Sequence, residues 1–288
     1  MDDVFRRRLV IVLALASLAV AVPSPGRLHA QAAQSPIAAP VLSLPEQEAF
    51  LATAKIVRTR GVNTGVTGTL RATLTDGRIT HDASIQTIDE FKQRFETVRG
   101  TELNFRDTWR YNVAAYRLDR LLDLGMTPAS VERRHDGKPG SFTWWVDDVL
   151  MDEKARLKKN LSSPNGRQWN EQMWHVRLFD QLISNVDRNL GNLLIDKDWR
   201  IWMIDHSRAF RLFNAPQTPG NIAQCDRTVL ARLKTLDKAT LTSTMADYLA
   251  PNEISAMLKR RDFIVAHLEK HNAIFDWQRP LRPAVQPR

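Results

Sequence analysis

The chain has 288 residues, 43 % of them apolar and 25 % charged, a globular mix that excludes disorder throughout and is long enough for one large domain or two lobes. Its formal charge of +9 and pI near 10.0 suit a phosphate-rich or otherwise polyanionic partner. The basic residues are scattered, apart from those between Lys154 and Lys159 and the run Lys259–Arg261. With no zinc spacing and no nucleic-acid motif, DNA and RNA are not expected partners.

In chain order, "MDDVFRRR" precedes fourteen apolar or small residues, "LVIVLALASLAVAV", and then "PSPGRLHAQAAQSP". This is the layout of a secretory signal peptide over residues 1–30, with cleavage after Ala21 or Ala30, and the apolar run is short for a spanning helix. The expected mature chain is exported, periplasmic or extracellular, with no membrane span left after cleavage. Residues 31–45, rich in Pro, Ala, Ser and Gln, read as a flexible linker. Ser43 and Pro45 open a helix expected to reach about Arg58.

"TLRATL" and "RITHDASIQTI" alternate around Asp76-Gly77 and predict a hairpin. "DTWRYNVAAYRLDRLLDLG" predicts a helix capped by Asp107, with Trp109, Val113, Tyr116, Leu121 and Leu124 at helical spacing and Gly125 as its stop. "ASVERRHDGKPGSFTWWVDDVL" predicts a second hairpin. Met173, Val176, Phe179, Leu182 and Val186 form one helical stripe that runs into "DRNLGN". "NLLID" and "RIWMID" read as strands around "KDW", followed by helices near 226–234, 239–249 and 252–270. Strands with one helix, then helices with one hairpin, give an α+β chain: a β-rich lobe over 46–148, an α-rich lobe over 149–275, and a tail over 276–288. Cys225 is alone and reads as a packed, inert thiol. His267 and His271 share a helix face but have no third zinc ligand.

The chemistry gathers in "FDQLISNVDRNLGNLLIDKDWRIWMIDHSRAF". Asp187 and Asn192 lie in a loop between a helix and a strand, and Asp205 ends the next strand. A two-stranded ribbon would bring Asn192 and Asp205 side by side. Their amide and carboxylate oxygens are hard ligands suited to magnesium bridging phosphates. Asp187, one loop away, is a candidate base for an attacking hydroxyl.

"VDRNLGNLL…IWMIDHSRAF" resembles the "DRxxxN…D" core of the phosphatidylinositol 3-/4-kinase-like group, of the related secretory-pathway protein and glycan kinases, and of the HipA-type kinases. "YNVAAYRLDRLLDLGMTPASVERR" is similar to their αC helix and the strand after it. A set of exported bacterial proteins shares nearly the whole pattern, and the resemblance spans roughly residues 60–210. It implies a two-lobed protein-kinase-like fold with a β-rich N-lobe and an α-rich C-lobe. The nucleotide, ATP, would lie between the lobes, with "TWWVDDVL" as hinge. Asp187 becomes the catalytic base, and Asn192 and Asp205 the Mg²⁺ (or Mn²⁺) ligands. "NTGVTG", with Gly65 and Gly68, falls where a phosphate-covering turn belongs.

Three features depart from the pattern. Gln86 stands where a phosphate-gripping lysine is expected, with Lys92 six residues on. Asn112 stands at the αC acidic position, for which Glu102 is a substitute. The metal-type Asp is followed by His-Ser instead of Phe-Gly. The implied activity is transfer of the ATP γ-phosphoryl to a hydroxyl of a protein, glycan or lipid. The alternatives are a pseudokinase that binds nucleotide or a partner without catalysis, and a basic envelope-associated scaffold. Export favours the pseudokinase, because ATP is scarce outside a bacterial cytoplasm.

Overall fold

The computed structural model describes residues 42–62, 68–97 and 100–276. The expected signal peptide, most of the expected linker, Gly65 with the rest of Asn63–Thr67, and residues 277–288 lie outside them.

Helix α1 (Leu44–Thr53) starts where Glu46 accepts from the Ser43 N–H (2.8 Å) and hydroxyl (2.7 Å). It stops at Thr53, about five residues earlier than the sequence suggests. Lys55–Gly61 is strand β1, paired antiparallel with β2 (Leu70–Thr75). Ile56, Val57 and Thr59 are β-branched, and the ladder offered by β2 outweighs the helical continuation. Asp76 turns β2 into β3 (Thr80–Gln86) by accepting from the N–H groups of Arg78 (2.8 Å) and Ile79 (2.9 Å).

The next two strands, β4 (Asp89–Thr97) and β5 (Gly100–Thr108), form a separate hairpin that the sequence did not announce. Helix α2 (Arg110–Leu122) follows β5 almost directly, so Asp107 belongs to β5 and is not the helix cap. The helix ends with Asp123, not Gly125, in the first left-handed position (φ 54°). The buried Asp119 carboxylate accepts from the N–H groups of Gly125, Met126 and Thr127, each at 2.9 Å, and so fixes the turn out of the helix.

β6 (Ser130–His135) and β7 (Lys138–Trp144) form the second expected hairpin, with Asp136 and Gly137 both at positive φ. Among the described residues these strands complete a five-stranded sheet in the order β1-β2-β3-β7-β6. Phe50, Leu51, Leu74, Ile85 and Phe142 pack on one face of it, together with Tyr116 from α2.

Residues 145–148 lead from β7 to β8 (Val149–Asp152). That link is held against β3: Trp145 N–H donates to Asp82 O (3.1 Å), and His81 stacks on Trp144 with its Nε2 2.9 Å from the Asp147 carboxylate. Two helices follow, α3 (Glu153–Lys158) and α4 (Gly166–Ile183). β9 (Leu193–Asp196) and β10 (Ile201–Met203) then form the expected ribbon beside β8. The expected stripe ends early, because α4 stops at Ile183 and leaves Val186 exposed.

A short parallel pair, β11 (Cys225–Asp226) and β12 (Ile274–Phe275), brackets α5 (Arg227–Thr235), α6 (Lys238–Met245) and α7 (Pro251–Lys270). The second core joins Val113, Leu118 and Leu122 of α2 to Phe179 and Leu182 of α4 and Met257 and Ile264 of α7. Helix α2 is therefore shared by both cores. No helix among the described residues is long and apolar enough to cross a membrane.

The run Lys259–Arg261 is not the basic surface its sequence suggests. Arg260 is fully buried; its Nε donates to Leu182 O (2.7 Å) and its Nη1 to the carbonyls of Arg211 (2.8 Å) and Phe213 (2.5 Å). Burial pushes its pKa down to about 10. Cys225 is buried as expected, and burial raises its pKa, which keeps the thiol protonated and inert.

Candidate active site

The loop that carries Asp187 begins where α4 ends, with Ser184 in the left-handed region (φ 50°). Arg188 organises it. Its Nε and Nη2 each donate to the buried Asp180 carboxylate at 3.0 Å, and its Nη1 reaches Asn192 O (3.2 Å) and Ile204 O (2.8 Å). Ile204 N–H also donates to Asn192 O (3.0 Å). The ribbon pairs Leu193 with Met203, so Asn192 stands opposite Ile204 and one residue from Asp205. Asp187 is exposed, and its backbone N–H donates to Asn185 Oδ1 (3.1 Å). The loop is thus cross-braced to the residue before Asp205 by one guanidinium and one ladder bond.

Asp205 has φ 53°, a region that costs a non-glycine residue on the order of 1 kcal/mol and persists only where its surroundings hold it. The restraint comes from the two residues that depart from the kinase pattern. Gln86, at the end of β3, donates from Nε2 to Thr69 Oγ1 (3.0 Å) and, more weakly, to Asp205 Oδ1 (3.5 Å). Its Oε1 accepts from Asn112 Nδ2 (2.5 Å). Asn112 Oδ1 in turn accepts from the backbone N–H of His206 (2.8 Å). Both amides are buried. A neutral Gln–Asn pair thus links β3 and α2 at this corner, at the two positions where the resemblance implies a lysine and an acidic residue. Gly68 (φ 64°) precedes Thr69, which Gln86 holds at this corner.

Glu102 meets different partners. Its carboxylate binds Arg208 Nη2 and Arg211 Nη2, each at 2.5 Å. Arg208 Nη1 lies 3.9 Å from Asp187 Oδ2, and its guanidinium sits 4.9 Å above the Phe105 ring. Lys92 is on β4, 3.0 Å from Glu90, and takes no part in this cluster. His206 is buried; desolvation first, and then the Arg188 charge, hold its pKa well below the usual value, so the imidazole is neutral.

The sequence did not reveal Asp107 as a site residue. The Thr108 N–H donates to Ser207 O (2.9 Å) and so clamps the end of β5 against the segment after Asp205. Asp107 is buried beside Ser207, which hydrogen-bonds it, and Oδ1 has no partner. Burial first, and then the Asp205 charge, raise its pKa, while Arg208 opposes the shift. Its signal was hidden because the β4–β5 hairpin was hidden.

Among the described residues no three His, Cys, Asp or Glu side chains gather as a metal cluster. The oxygen donors Asn192, Asp205 and Asp107 still fit a hard divalent cation of the magnesium type, which keeps waters and takes substrate phosphates as ligands. A cavity of about 490 Å³ lies near the Glu102 pairs, lined by Phe91, Leu103, Arg106, Arg211 and Phe213 among others.

The described part of the chain has the protein-kinase-like fold, two-lobed, with a β-rich N-terminal part and an α-rich C-terminal part. It is similar to a hydra Fam20 solved with sugar: TM-score 0.61, 14 % identity, 82 % of this chain and 93 % of that one covered. It is also similar to a Golgi casein kinase with Mn/ADP bound: TM-score 0.55, 14 % identity, 78 % of this chain and 75 % of that one covered. The same kinase in a second structure gives TM-score 0.54, again at 14 % identity, covering 79 % of this chain and 75 % of that one. No family model matches the chain, and no curated protein matches it.

Proposed function

We propose that this chain is an exported phosphotransferase that moves the ATP γ-phosphoryl to a hydroxyl of a protein, glycan or lipid. Its lobes would be residues 46–148 and 149–275, with the nucleotide between them and the 145–148 link as hinge. The observation that carries this reading is the brace between Asp187 and Asp205. Arg188 and the Ile204–Asn192 bond tie the loop that carries Asp187 and Asn192 to the strand end that carries Asp205. The Mn/ADP bound to the similar Golgi kinase supports the nucleotide-and-metal part of it.

In this reading Asn192 and Asp205 would hold Mg²⁺ or Mn²⁺, which supplies charge neutralisation at the transferring phosphoryl. Asp187, exposed, accepts the proton of the acceptor hydroxyl. Arg208, beside Asp187, offers a cation on the side where β3 supplies none. Gly68, with Gly65, would lie over the phosphates. The leader 1–30 would direct export to the periplasm or the exterior.

A second reading, a nucleotide-binding pseudokinase, draws support from Gln86, whose amide brings no charge to the phosphates. Two measurements separate the readings. The first is thermal unfolding of the full chain with ATP or ADP, with and without Mg²⁺ or Mn²⁺, beside Asp205→Asn. A ligand at a hundred times its Kd adds about 2.7 kcal/mol to stability. The second is transfer of labelled γ-phosphoryl to protein, glycan and lipid fractions, beside Asp187→Ala. Metal-dependent stabilisation lost in Asp205→Asn, with transfer lost in Asp187→Ala, is expected for the enzyme. Binding without transfer selects the pseudokinase. No stabilisation at millimolar nucleotide removes both.

A further inference from the structure

We propose that Asp107 is a third protein ligand of the divalent-cation site, acting with Asp205 and Asn192. The inference rests on the kinase-type reading of that site and names a donor that the "DRxxxN…D" pattern does not contain.

Three observations carry it. The first is delivery. β5 ends against the segment that follows Asp205, held by the 2.9 Å bond from Thr108 N–H to Ser207 O. That bond carries the neighbouring Asp107 within charge range of the metal-type aspartate, 98 positions on in sequence.

The second is an unmet valence. Asp107 is 7 % exposed, one carboxylate oxygen is shared with Ser207, and Oδ1 has neither a protein partner nor solvent. Leaving a buried polar atom unsatisfied costs about 1–3 kcal/mol, so folded proteins rarely keep one without a use for it.

The third is the local charge. The Asp205 carboxylate is close enough to disfavour ionisation of Asp107. The nearby guanidinium of Arg208 is already bound to Glu102 at 2.5 Å and lies 3.9 Å from Asp187. Buried Asp107 and half-buried Asp205 offer carboxylate oxygens of the kind a hard divalent cation selects. The alternative, a proton held between the two carboxylates, predicts no metal affinity lost with Asp107.

The test is Mn²⁺ binding by the full chain, without and with ADP, followed by electron paramagnetic resonance of the free ion. Wild type is compared with Asp107→Asn and Asp205→Asn, and unfolding is measured on the metal-free proteins. Asp107→Asn keeps the shape and the Ser207 contact but removes the charge. The expected result is a pair of opposite effects. Metal-free Asp107→Asn is at least as stable as wild type, because a neutral amide replaces a buried carboxylate with an unpartnered oxygen. Its Mn²⁺ affinity falls about tenfold or more.

Mn²⁺ affinity within twofold of wild type would overturn the inference, and if Asp205→Asn still abolished binding the kinase reading would survive it. Absence of Mn²⁺ and Mn²⁺–ADP binding in the wild type would overturn both. If Asp107→Asn does not fold, Asp107→Ser replaces it under the same criteria. If neither variant folds, the side chain is required structurally and the inference is withdrawn.

Discussion

Replacing Asn112 with alanine tests whether the neutral amide pair sets the site. Asn112 makes three bonds in a buried corner: it donates to Gln86 Oε1 (2.5 Å) and Ser141 Oγ (3.3 Å), and it accepts from His206 N–H (2.8 Å). The Ser141 hydroxyl can turn to its cross-strand neighbours. Gln86 Oε1 and the His206 N–H cannot reach water, since those residues are 7 % and 1 % exposed. Two orphaned groups at about 1–3 kcal/mol each give an expected loss of roughly 2–6 kcal/mol.

The loss should couple to Gln86. In a double-mutant cycle with Gln86→Ala, the interaction energy should fall in the range of about 0.5–3 kcal/mol found for residues in one hydrogen-bond network. Urea unfolding at pH 7 measures both quantities. The same change frees the backbone next to Asp205, whose left-handed φ then has one restraint fewer. Metal-dependent nucleotide stabilisation should therefore shrink by more than global stability alone requires. An Asn112→Ala variant within about 0.5 kcal/mol of wild type, or strict additivity in the cycle, would refute the reasoning.

Arg260→Leu should cost at least about 3 kcal/mol in urea unfolding, because it strands the carbonyls of Leu182, Arg211 and Phe213 in the core; Arg260→Lys should recover part of the loss. Asp119 gives a pH-dependent test. Burial lifts its folded pKa from 3.8 to about 6, so the stability linked to its protonation is present below pH 4 and is lost as pH rises through 6. The wild type should lose up to about 3 kcal/mol between those limits relative to Asp119→Asn, which carries no titrating group there. Denaturant curves for both proteins at pH 4 and pH 7.5 read the difference. The opposite sign would mean that the three N–H donors hold the carboxylate ionised in spite of burial.

Much of the scaffold was written locally. Asp76-Gly77 and Asp136-Gly137 marked both hairpins of the five-stranded sheet, and helical spacing marked α2, α4 and α7, because each signal concerns residues within a turn or two of one another. The errors fell where a distant partner decides the outcome. Lys55–Gly61 is a strand because β2 pairs with it. β4 and β5, rich in Glu, Lys, Arg and Thr, have no one-sided apolar alternation and are joined chiefly to each other. Arg260 reads as surface charge until three carbonyls from other segments close on it. For the candidate site, the sequence set out Asp187, Asn192 and Asp205 and registered Gln86 and Asn112 as two separate anomalies. Their contact spans β3 and α2 and is visible only in three dimensions.

That contact changes what the corner can do. An ion pair acts over several ångströms and keeps a cation near the phosphates, whereas an amide pair holds only in direct, directional contact. Around the Asp187–Asp205 brace stand four carboxylates, Asp107, Asp187, Asp205 and Glu102, and two guanidiniums, Arg208 and Arg211. With every carboxylate ionised, four negative and two positive charges leave a net of −2, and Gln86 adds nothing to it. A metal-free nucleotide, itself polyanionic, meets repulsion there. A divalent cation cancels the local excess and presents its remaining coordination positions to phosphate oxygens. In the proposed kinase, the neutral Gln86–Asn112 pair would make nucleotide binding depend on the metal more steeply than an ion-paired site does. On that reading, phosphate recognition would fall to a cation held by the oxygen donors and to Arg208.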